Sequence, residues 1–451
     1  MMVKKILFIS FIVMTLSGSL FADDVAVTVY NNNLGVVSET RALELEKGLG
    51  RLAFRDVPSL IDANSVTFET TGDKSRVAIL EQNYAYDLVS PDKMYAKYID
   101  QEIELVDKEG RLYNGTLLAY GGGAVTLREK SGRVKIVTLS NITEVNFPQL
   151  PDGLITRPTL FWLYRSDVEG KKDCRVGYQT SGMTWSAEYV GVLDAEETGL
   201  DLSGWAAINN TSGKTYRDAT LKLIAGDISR AQTPVAPRMK MMATDAEMAG
   251  AGFEEKAFFE YHLYTLPRQA TLADREIKQI SLFEPAQTSV TKEYIYRPDR
   301  NSEQVEVSLK LMNSEKSGLG LPLPAGRVRL FKADDDGSMI LLGEDRIDHT
   351  PKDEEVNLKV GYAFDIAAEE KLVSQNRVSS KVEEREYETE LRNHKKSDIT
   401  VKVEKQLYGF WEVISSNYEY KQKDANTLVF DVPVAADTGA SLKYKIRFTY
   451  R

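Results

Sequence analysis

The carboxylates Glu344, Asp345, Asp348, Asp353 and Glu354 cluster in the stretch G-E-D-R-I-D-H-T-P-K-D-E-E, with His349 among them. Two carboxyls held about 5 to 9 Å apart can cleave a glycoside, one as acid and the other as base or nucleophile. Glu344, Asp345, Asp348 and His349 are therefore the candidate catalytic residues. The competing reading of Asp348-His349-Thr350-Pro351 is a turn in which Asp or Thr bonds its own backbone.

Other chemistries find less support. The three histidines, His262, His349 and His394, are far apart and in no metal-ligand spacing. Asp334-Asp335-Asp336-Gly337 lacks the alternating acids and distal Glu of a calcium loop and reads as a polar hairpin turn. Cys174 is the sole cysteine. It cannot form an internal disulfide, has no nearby histidine to activate it, and reads as a buried strand residue. Met239, Met241, Met242 and Met248 could offer thioethers to Cu(I), but no His or Cys accompanies them in the segment 229–255. There is no G-x-S-x-G elbow, no phosphate-cradling loop leading into a helix and no H-E-x-x-H. No cofactor is expected.

Charge narrows the partners. The chain carries 57 basic and 67 acidic residues, and an acidic surface repels phosphate backbones, so nucleic acid is an unfavourable partner. Residues 1–22 show two lysines, an apolar run and then small residues, the order of a secretory signal peptide. Their apolar core is too short to span a bilayer. Removal of the leader's two lysines leaves a net charge of about −12, and no later apolar run approaches spanning length. The expected location is the periplasm or beyond the cell, with an envelope protein or polysaccharide as the partner class.

The elements that must position any site are strands. Residues 178–228 read as four of them, with Trp185, Ala187 and Tyr189 on one face and Ser186, Glu188 and Val190 on the other. The Trp185 indole is thus a core plug. The polar loop 209–214 is read as a hairpin connection. Structural motif positions in this stretch are Trp185, Tyr189, Trp205, Asn210, Gly213, Asp218, Gly226 and Asp227.

The runs T-S-G-M-T-W-S-A-E-Y, L-S-G-W, N-x-x-G-x-x-Y-x-D-A and L-x-L-I-A-G-D resemble a widespread family of uncharacterised exported bacterial proteins, distantly similar to the mucoidy inhibitor A group. YHLYTLPRQATLADREIKQI, GLPLPAGRVRLF, GEDRIDHTPKDEEVNLKVGYAFDI and ELRNHK extend the likeness through the C-terminal half. The resemblance implies a fold and brings no activity.

In chain order, the expected plan is mainly β and multidomain, with immunoglobulin-like β-sandwiches and a small inserted barrel. After the signal peptide come an N-terminal antiparallel β domain (23–94), an SH3-like or Sm-like barrel (95–150), a central β-sandwich (151–228), a Met, Ala and Gly-rich linker ending in a short helix (229–260), and a C-terminal sandwich (261–451). Basic and acidic residues balance in the small barrel, so it carries no nucleic-acid footprint. The charged run K-V-E-E-R-E-Y-E-T-E-L-R-N-H-K-K puts Tyr387, Thr389 and Leu391 on one face, and reads as a strand with one solvated side. The whole is read as an envelope protein acting by binding, with a glycosidase-like hydrolase built on Glu344 to Glu354 as the alternative.

Overall fold

The computed structural model describes residues 24–71, 77–226, 254–258 (backbone only), 261–300 and 303–450. It is mainly β, with several sheets, as alternating apolar and polar residues dictate. The chain divides into two compact units, one of Met1–Ala26, Val37–Val57 and Ala63–Tyr178, the other of Val27–Val36, Pro58–Asp62 and Gln179–Arg451. The leader region, Asp227 and the four methionines of 229–255 lie outside the described residues.

In the first unit the strand Thr159–Ser166 sits between Gly48–Arg55 and Val77–Ala85, antiparallel to both. Trp162 is buried there, donates its indole N–H to Gln82 Oε1 at 2.7 Å, and packs on Phe54 and Phe68. Cys174 is fully buried, and burial pushes its thiol up to about 11. A thiolate nucleophile needs the opposite shift.

The small domain holds five strands in the order Ile142–Asn146, Glu102–Asp107, Leu112–Gly121, Ala124–Arg128, Val134–Thr138. The expected closure into a barrel is not made: the two end strands do not pair with each other. Val134 and Ile136 are both exposed and Val137 is only partly buried against the core, so the strand Val134–Thr138 has little buried face to drive closure. A helix that the alternation had hidden, Pro91–Lys97, covers the core instead. Ser90 caps it through its side chain and Pro91 starts it, a start signal readable as S-P-D. Tyr95 and Tyr98 pack with Ile103, Leu105, Leu117, Val125 and Leu127.

The second unit is dominated by one large sheet. Met183–Leu193 pairs antiparallel with Gly199–Asn210 and parallel with Gly326–Ala333, so strands that the sequence plan put in separate sandwiches share one ladder. The segment Glu254–Phe258, expected as a short helix, is a strand antiparallel to Tyr261–Thr265. One turn of helix gains little against its nucleation cost, whereas an adjacent strand offers a ready ladder.

The strand Glu355–Arg377 organises the C-terminal end. Its first part pairs with Gln304–Met312, its second part from Ile366 onward pairs with Val382–Asn393, and the register breaks between the two. A bulge bends its strand and increases the local twist, so within one sheet this strand carries Gln304–Met312 along one side and Val382–Asn393 along the other. The core between the sheets includes Tyr296, Val401, Val403, Phe430, Leu442 and Tyr444.

The loop 209–214 is not a hairpin connection. Gly199–Asn210 and Tyr216–Ala225 belong to different sheets. Buried Asn210 makes the corner, donating from Nδ2 to the carbonyls of Lys214, Leu272 and Ala273 and accepting from the Ser212 amide at Oδ1. One amide side chain thus satisfies backbone groups that a change of sheet would otherwise orphan.

Candidate functional site

A polar cleft of about 720 Å³ lies on the outer face of the C-terminal sheet. Period-two alternation builds it. Glu355, Asn357 and Lys359 face it from one strand, Glu306, Ser308 and Lys310 from the next, and Glu293 and Ile295 from Ala286–Tyr296. Lys402 and Glu404 come from Ile399–Gln406, and Val429 and Asp431 from Thr427–Val434. The intervening residues Tyr294, Val401, Val403, Phe430 and Val432 point the other way into the core. Register sets Ile295 beside Lys402 and Lys402 beside Asp431.

The lining holds six cationic and six anionic side chains, and they are spent largely on each other. Arg297 donates to Glu404 at 2.7 Å and to Glu306 at 2.9 Å. Lys402 meets Glu293 at 2.8 Å, Lys423 meets Glu404 at 2.9 Å, Lys421 meets Asp431 at 3.1 Å, and Lys310 pairs with Glu355. Burial would raise the Glu404 carboxyl, but the bonds from Lys423 and Arg297 outweigh it and hold the group below its ordinary range. Glu355 is likewise lowered, burial being overcome by Lys310 and Asn357. A glycosidase acid needs its pKa raised. Each described carboxylate that departs from its ordinary value moves down.

The candidate catalytic stretch is brought to the cleft only in part. Asp345 lines it, yet its Oδ2 accepts the Lys359 amide at 2.6 Å and its Oδ1 the Arg346 amide at 2.8 Å. Glu344 is drawn off to Arg329 at 2.8 Å, which also holds Glu188. His349 accepts the Ala325 amide at Nδ1, and the Asp348 carbonyl accepts the Thr350 hydroxyl, the turn anticipated as the competing reading. Asp353 and Glu354 lie against Asn313 through backbone bonds.

The motif residues sit elsewhere in the second unit. Trp185 is 2% exposed and donates to the Ile224 carbonyl at 2.9 Å, while the Tyr189 hydroxyl donates to the Pro324 carbonyl. Trp205 is 39% exposed, on the outer side of the same sheet. Gly213 has φ +87°, and a Cβ there would lie 2.0 Å from Ser59 Oγ. Asp218 donates its amide to Thr271 Oγ1. A Cβ on Gly226 would meet the Tyr261 ring.

Sequence reasoning missed two counterparts of Asn210. Asn313 donates to the Leu321 and Pro351 carbonyls and accepts the Gly320 amide. Asn393 donates to the Ser397, Val434 and Ala435 carbonyls and accepts the Lys395 amide. Both are buried. The usable signal was an asparagine closing an alternating strand immediately before a polar loop. Tyr362, which bonds Lys359 of the lining, and Phe364, exposed two residues further on, were missed as well.

Sandwich-like sheets with buried asparagine corners, and a charged cleft on an outer face, define a mainly β scaffold of several sheets. The chain belongs to the family described as DUF4139, a domain of unknown function, whose model matches residues 174–450. No curated protein matches it. Among the described residues no helix is long and apolar enough to cross a membrane.

Proposed function

We propose that this is an exported protein of the bacterial cell envelope that acts by binding protein or polysaccharide through the C-terminal cleft. The observation that carries the reading is the cleft itself, a sizeable concavity in which paired cations hold the Glu404 and Glu355 carboxylates ionised, so that these two are poor proton donors. Export is supported by the order of residues 1–22, lysines before an apolar run before small residues. In this reading residues 95–150 are an open relative of the SH3-like barrel serving as a spacer or docking module, and the family is a distant relative of the mucoidy inhibitor A group.

Co-sedimentation of the mature chain with purified envelope material tests the proposal. Wild type should pellet with the envelope, and Lys402→Glu, which places two like charges at Glu293, should not. Equal pelleting of both would remove the cleft from the account. The position of Asp345 in the lining favours one second reading, the hydrolase. Release of reducing ends that Asp345→Asn abolishes would establish it.

A further inference from the structure

We infer that the cleft takes a neutral polysaccharide, with Tyr362 and Phe364 as the platform on which sugar rings stack. The inference rests on the binding reading above and deepens it to a ligand class. Charge comes first. Six cations face six anions and are cross-paired, so the cleft has no net field to attract a polyanion or a polycation. A charged ligand would have to displace an existing partner. A sugar hydroxyl donates and accepts at once, and can bridge the ammonium and carboxylate of one pair without breaking it.

The aromatic side chains come second. Phe364 is fully exposed, in the register break where Glu355–Arg377 passes from pairing with Gln304–Met312 to pairing with Val382–Asn393. Ala363 packs on the core, so its two neighbours project outward. Tyr362 stands directly across from Glu306 of the lining, and its hydroxyl accepts from Lys359 Nζ at 3.0 Å. Tyr362 therefore stands on the cleft's own face, and Phe364 projects outward two residues further along the same strand. An exposed apolar ring beside a polar groove marks a contact site, and sugars present both a C–H face for the ring and hydroxyls for the groove. An extended peptide fits less well. It is recognised mainly by main-chain bonds to a sheet edge, and the cleft offers a sheet face.

Affinity electrophoresis of the full mature chain through gels containing dextran, mannan, laminarin or xyloglucan tests the inference, with polygalacturonate, poly-lysine and casein as the charged and polypeptide controls. At least one neutral polymer should retard wild type, and Tyr362→Ala with Phe364→Ala should weaken that retardation roughly tenfold. Both rings are on the surface, and an unchanged melting curve would show that the double variant is folded. Binding only to polygalacturonate or poly-lysine would overturn the inference. So would retention by casein alone that Lys402→Glu abolishes and the aromatic double variant leaves intact, a result that would keep the cleft as the site and reject the glycan. No binding that any cleft variant alters would overturn both readings.

Discussion

The Lys405 ammonium lies 2.7 Å from the Glu370 carboxylate inside the C-terminal core, with the two side chains 8% and 7% exposed. Glu370 also accepts the hydroxyls of Thr389 at 3.0 Å and Tyr444 at 2.5 Å, and Lys405 reaches Asp299 at 2.8 Å. Burial lowers the Lys405 pKa, but attraction to Glu370 and the hydrogen bonds prevail and raise it. Removing one partner strands a buried charge, so Lys405→Met or Glu370→Gln should each cost about 3–5 kcal/mol. The double variant Lys405→Met with Glu370→Gln should cost less than the sum. Thermal melts of the four proteins provide the cycle, and strict additivity would mean that the two groups are not coupled.

The asparagine corners should be similarly sensitive. Asn393→Ala removes the side-chain donor of three carbonyls, of which that of Val434 accepts in a buried bond, at about 1–3 kcal/mol for a buried group left unsatisfied. Asn393→Asp should fail too, since a carboxylate cannot donate. Asn417 also bonds backbone, but from an exposed position, and its replacement by Ala should cost clearly less. Equal melting points for the Asn393 and Asn417 variants would contradict the corner's role.

Trp185→Ala should cost about 3–5 kcal/mol, because the indole is almost fully buried and also satisfies the Ile224 carbonyl. Trp205→Phe, on the exposed side of the neighbouring strand, should be far milder. Denaturant midpoints of the two variants check the contrast.

Acid should weaken the second unit through Glu197. Burial would raise its carboxyl, but hydrogen bonds from Lys292 and Lys332 bring it down to about 2 from an ordinary 4.5. A carboxyl lowered in the folded state adds stability above its unfolded pKa and loses it as pH falls through the folded one. Wild type should therefore lose this contribution between about pH 4.5 and pH 2, and Glu197→Gln should show a shallower decline over the same window. Parallel curves for the two proteins would contradict the assignment.

Much of this architecture was legible because burial leaves a period-two mark. Met183–Leu193 alternates without interruption, and Trp185, Ala187 and Tyr189 are all buried. Even the charged strand Val382–Asn393 betrays its core face, through Tyr387, Thr389 and Leu391. What alternation does not encode is the partner of each strand. The loop after Asn210 has hairpin composition, but the bonds that make it a corner come from residues 272 and 273, distant in sequence. The change of partner along Glu355–Arg377 was hidden for the same reason, since a bulge needs no Gly or Pro to announce it. In the candidate site, the crowding of Glu344, Asp345 and His349 was visible, but the Arg329 side chain and the Lys359 and Ala325 amides that occupy them were not. The cleft draws its twelve charges from strands scattered between residues 293 and 431, a constellation that only the sheet assembles.

Hydrogen–deuterium exchange of the mature chain, with and without the polysaccharide that retards it, tests the central claim most directly. Protection should concentrate in residues 360–366 and in the strands Ala286–Tyr296, Gln304–Met312 and Ile399–Gln406, with the polymer recovered at its original length. Protection confined to other segments, or shortening of the polymer during the incubation, would contradict the assignment of the cleft as a non-hydrolytic binding site.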